Sequence, residues 1–78
     1  RRTGKRFRRV TVGEDSALAG ATLGESALRD AHGVAVLAIR HDRSWTIAPR
    51  GAQPVAPGDD LIVVGSTANL DAFAGVVA

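Results

Sequence analysis

Six consecutive residues, Val34 to Ile39, carry no polar side chain, and Gly33 stands immediately before them. A half-exposed strand alternates apolar with polar residues, so a fully apolar run demands cover on both faces. A second run, Leu61 to Val64, makes the same demand directly after Pro57-Gly58-Asp59-Asp60. The chain has 78 residues, and a domain this small buries only about 60 to 65% of the surface that its unfolded form exposes. One face of the first run falls to a helix of the same chain. The other is expected to be covered by a second copy, giving a two-fold homodimer.

The helix is written just upstream. Thr22 followed by Glu25 has the spacing of a capping box, and Leu23, Ala27, Leu28 and Ala31 recur at helical intervals until Gly33 offers a left-handed stop. This predicts one helix of about three turns from Thr22 to Gly33. Phe7 to Val12 alternates apolar and basic residues and predicts a strand offering Phe7, Val10 and Val12 to a core. His41 to Ser44 reads as a polar hairpin turn and Trp45-Thr46-Ile47 as a short returning strand. The stretch Pro49 to Pro57 reads as an irregular loop whose three prolines bar ladder bonding. Ser66 or Thr67 then caps a last helix with Leu70, Phe73, Ala74 and Val77 on one stripe. The fold class expected is α+β: an antiparallel sheet of about four strands with two helices on one face, in the order β-α-β-β-β-α.

Charge divides the chain unevenly. Six of the ten basic residues (Arg1, Arg2, Lys5, Arg6, Arg8 and Arg9) fall in the first nine positions, where no acid occurs. From Val10 onward four arginines face eight acidic residues. A nucleic-acid binder spreads its cations over a folded face, so this distribution is read as a basic arm or linker over 1–6 ahead of a domain over 7–78. The arm could touch anionic lipid, with a solvated linker as the simpler reading. The absence of cysteine fits a reducing, cytoplasmic setting, and no apolar run approaches the roughly 18 residues that cross a bilayer.

Catalysis and metal binding find little support. His32 and His41 lack the spacing and the third ligand of a metal site, and Asp59 and Asp60 belong to ordinary turn chemistry. Ser16 has no histidine arranged as its base, and no phosphate-cradling Gly-x-Gly-x-x-Gly occurs. An enzyme, a bound metal and a resident cofactor are therefore not expected.

One ordered set of motifs is specific. It runs Ser16-x-Leu18-x-Gly20-x-Thr22-Leu23, then Leu28-Arg29-x-x-x-Gly33-Val34-x-Val36-x-Ala38-Ile39-Arg40, then Pro49, and closes with Pro57-Gly58-Asp59-x-Leu61-x-Val63-x-Gly65. In this set the chain resembles the TrkA-C family, also called the RCK C-terminal domain, the regulatory lobe of potassium channels, Trk and Ktr potassium transporters and cation/proton antiporters. The resemblance covers Val10 to Phe73.

That resemblance implies a two-fold dimer and, as in several relatives, cyclic di-AMP in its interface. It assigns the phosphates to Arg29 and the apolar wall against the adenines to Leu28, Val34, Ala35 and Val36, with Pro49 added from the following loop. Relatives that bind the dinucleotide often carry an amide near position 35 and an acid near position 27; both are alanine here. The implied partners are a second copy, a membrane cation channel, transporter or antiporter subunit, and a cyclic dinucleotide, with no nucleic acid. The implied place is the inner face of the cell membrane, through the transporter. Two other readings stand beside this one: a dimerisation lobe without a ligand, and a nucleic-acid contact through the basic arm.

Overall fold

The computed structural model describes residues 4–78, so Arg1 and Arg2 of the basic arm lie outside the described residues. The elements are β1 (Arg6–Thr11), α1 (Leu23–Ser26), α2 (Leu28–His32), β2 (Ala35–His41), β3 (Ser44–Ile47), β4 (Asp60–Gly65) and α3 (Thr67–Val77). The four strands form one sheet in the order β1-β4-β2-β3, with every neighbouring pair antiparallel. The two apolar runs thus lie side by side in the middle of the sheet, where ladder bonds satisfy both edges of each backbone.

The helices close one face. Leu61 and Val63 of β4, Ile39 of β2 and Val10 of β1 point into a core with Leu28 of α2 and Leu70, Phe73 and Val77 of α3. Phe73 is completely buried, and Ala74 of the predicted stripe is half-buried. Ser66 caps α3 by accepting from the Asn69 amide. The Ser16 hydroxyl accepts from the Leu18 amide and donates to the Val76 carbonyl, which ties the long β1–α1 connection to α3.

Three expectations need correction. The predicted single helix is two, because Ala27 adopts a left-handed conformation with φ of 47°. The capping box between Thr22 and Glu25 is present, but α1 is pinned sideways: the Leu23 and Gly24 amides donate to the carbonyls of Gln53 and Gly51. The chain must then turn at Ala27 to bring Leu28 into the core. Phe7 is 70% exposed and no core residue, because its register opposite Val64 puts it on the face away from Leu61 and Val63.

The proline loop, expected to be barred from ladder bonding, does pair. Thr22 and Pro54 form an antiparallel bridge through donors on either side of the proline, with Leu23 donating to Gln53 and Val55 to Ala21. Pro54 occupies a position where no donor is needed.

The basic segment is partly structural. β1 starts at Arg6, Arg8 pairs with Asp71 of α3 at 2.8 Å, and Arg9 pairs with Asp60 at 2.7 Å. The outer sheet face carries Phe7, Trp45 and Ile47 exposed, with the guanidinium groups of Arg9 and Arg40 lying 5.6 and 5.8 Å from the Trp45 ring centre.

Candidate functional site

A groove of about 220 Å³ opens where α2 turns into β2. The turn makes it. Gly33 sits at φ 68°, its amide donating to the Arg29 carbonyl, and the Val34 amide reaches back to Leu28. This reversal lays the start of β2 beside α2, so residues distant along a straight chain share one wall. A side chain at position 33 would collide with that of Asn69, whose amide nitrogen donates to the Gly33 carbonyl at 3.4 Å.

All six residues singled out from the sequence meet there. Leu28, Arg29, Val34, Ala35, Val36 and Pro49 line this one groove. Their exposure differs, and that sets what each can offer. Leu28 and Val34 are buried and present only an edge, Ala35, Val36 and Pro49 are half-buried, and Arg29 is exposed. The result is an apolar floor with a cation beside it, a surface suited to a flat ring carrying a negative group.

Four further residues complete the wall: Leu23, Gly24, Arg50 and Gly51. Sequence reasoning missed them because nothing in the residues says that the loop bearing Arg50 and Gly51 packs against α1. The loop is brought in by backbone contact between two glycines, with the Gly24 amide donating to the Gly51 carbonyl at 2.9 Å. A Cβ on Gly24 would stand 3.1 Å from that oxygen, so the close approach depends on the missing side chain. A glycine in each of two segments flanking an apolar run was the available signal.

The two histidines and the aspartate pair lie elsewhere. His32 packs its ring against Phe73 at 5.6 Å. Asp59 is buried in the turn before β4, where it accepts from the Ala56 amide and pairs with Nδ1 of His41 at 2.7 Å. The hydrogen bond that the His41 ring donates to Asp59, with the charges of Asp59 and Asp42, raises the His41 pKa above its ordinary value. Asp60 accepts from Thr11 at 2.6 Å and from Arg9 and pairs with Arg40 at 2.9 Å; the Thr11 bond first, then Arg9, holds its pKa below the usual range. Among the described residues no three His, Cys, Asp or Glu side chains gather as a metal site would need, and no helix is long and apolar enough to cross a membrane.

This geometry meets a family pattern. The sequence model of the TrkA-C domain matches residues 7–77. The chain belongs to the TrkA-C family. No curated protein matches it, but solved structures do. The RCK_C domain dimer of BusR from S. agalactiae, in complex with c-di-AMP, superposes with a TM-score of 0.85 at 22% identity, over 91% of this chain and 93% of that one. The RCK C domain of the potassium transport protein KtrA, also in complex with c-di-AMP, gives 0.82 at 22% identity, over 91% and 81%. The GsuK RCK domain gives 0.79 at 29% identity, over 95% of this chain but only 16% of that one.

These likenesses establish the fold as that of an RCK C-terminal domain: the four-stranded antiparallel sheet with its helices. BusR is also known in complex with its busAB-promotor DNA, in a chain of which the match covers 35%. This chain thus spans about a third of that BusR chain and about a sixth of the GsuK chain.

Proposed function

We propose that this TrkA-C domain is a ligand-sensing regulatory module that binds cyclic di-AMP in the groove between α2 and β2, at the interface of a two-fold homodimer. Its output is the gating of an attached or associated potassium or cation/proton transport system on the cytoplasmic side of the membrane. The observation that carries the reading is convergence: the six residues that the family resemblance assigns to the dinucleotide line a single groove, with Arg29 exposed at its side. The c-di-AMP complexes of the BusR and KtrA domains support the same ligand.

The mechanism is a population shift. A ligand that touches both copies favours one relative orientation, and the attached machinery responds to that orientation. No bond is made or broken, and no cofactor takes part.

Isothermal titration of the protein with cyclic di-AMP tests this. Saturable binding is expected, and Arg29→Ala should weaken it by about ten-fold or more, since one charge-assisted contact to phosphate is removed. A folded protein that takes up no cyclic di-AMP would sink the ligand assignment. A second reading, a dimerisation lobe with no small ligand, draws on the uncovered apolar face bearing Phe7, Trp45 and Ile47; it predicts a dimer indifferent to the dinucleotide. BusR bound to promoter DNA supports a variant in which the same sensor is attached to a nucleic-acid-binding part.

A further inference from the structure

The groove does not end at its own walls. Arg29, Val34 and Ala35 also line a neighbouring hollow of about 390 Å³ that reaches Lys5 and Val64. On the other side Pro49 and Arg50 continue into a hollow of about 450 Å³ between Thr46 and Pro54. The three concavities form one trough by sharing residues, and among the described residues no Asp or Glu lines any of them.

From Val10 onward eight acids outnumber four arginines, yet two of those four, Arg29 and Arg50, stand in the acid-free trough. Arg8, Arg9 and Arg40 are engaged by carboxylates. Among the described residues, neither Arg29 nor Arg50 forms an ion pair, and both are exposed. A guanidinium without a carboxylate partner, beside an apolar floor, is free to take phosphate oxygens in a two-pronged contact.

We infer that Arg50 is a second anion-binding residue of this groove, so that in the two-fold dimer each phosphate of the shared ligand meets the guanidinium groups of Arg29 and Arg50 from one copy. The inference rests on the cyclic dinucleotide reading above and deepens it. A mononucleotide has one phosphate and could engage the arginines of one copy only, leaving those of the other unanswered. The site therefore discriminates by phosphate count as well as by ring.

The fold supports a clean test, because Arg50 is exposed and its backbone contribution, a carbonyl accepting from the Gln53 amide, survives substitution of the side chain. Cyclic di-AMP is titrated calorimetrically into the wild type, Arg50→Ala, Arg50→Lys and Arg43→Ala at low and moderate salt. Arg50→Ala is expected to weaken binding by about ten-fold and to flatten its salt dependence, as loss of one charged contact requires. Arg50→Lys should retain part of the affinity, because it keeps the charge and loses the fork.

Arg43 lies on the β2–β3 hairpin outside all three hollows, and its loss should change nothing. If Arg50→Ala binds as the wild type does, with the same response to salt, Arg50 is no ligand contact and the groove reading stands without it. A wild type that binds no cyclic di-AMP removes both.

Discussion

Asp60 shows how much one buried carboxylate can organise. It sits at the first position of β4, between β1 and β2, and gathers Thr11 and Arg9 from one neighbour and Arg40 from the other. A group whose pKa is lower in the folded state stabilises the fold above its ordinary value, and that contribution is lost as pH falls through the folded value. Stability measured by urea denaturation should therefore drop on acidification below about pH 3.8, and Asp60→Asn should show a shallower drop. His41 has the opposite sign: its pKa is raised by Asp59, so its charged-state contribution is complete below its ordinary value of 6.5 and fades as pH rises through the raised one. Stability should in consequence peak in the interval between the two titrations. Wild type and Asp60→Asn with the same acid limb would show that the cluster is ornamental.

At the scale of elements, the α2–β2 turn decides whether the groove exists. Gly33 holds φ 68° and lies against Asn69, so Gly33→Ala meets both the cost of a left-handed conformation and a collision. We expect a loss of about 1–2 kcal/mol in unfolding free energy, with ligand affinity falling because Arg29 and Ala35 no longer share a wall. A variant as stable as the wild type in urea would show that the turn is not held as described.

This glycine was legible in the sequence, as were the two central strands, since an apolar run after a glycine or a Pro-Gly turn has few alternatives. The break at Ala27 was not, because nothing in an alanine announces a left-handed residue; it follows from the loop contacts that pin α1. Phe7 misled for a related reason. Alternation shows that one face is apolar, but only pairing with β4 says which. Six of the residues lining the groove were singled out through family resemblance, and Arg50 escaped because its place depends on contact between Gly24 and Gly51 across a loop.

For the whole molecule, size and symmetry converge on one expectation. A 78-residue chain has little core to spare, and its outer sheet face leaves Phe7 70% and Ile47 73% exposed. In the proposed two-fold dimer every groove residue occurs twice, so two copies of Arg29 face a ligand that has two phosphates and a two-fold axis of its own. Such a ligand binds the dimer better than the monomer, and mass action then makes it a dimerising agent. At a free concentration about one hundred times its dissociation constant it adds about 2.7 kcal/mol to association, a change of roughly one hundred-fold in the dimer dissociation constant. Sedimentation equilibrium with and without cyclic di-AMP reads this directly. A monomer–dimer balance unmoved by saturating ligand would mean that each copy binds alone. The ligand could then exert no force on the relative orientation of the two, and the proposed route from binding to transport would be closed.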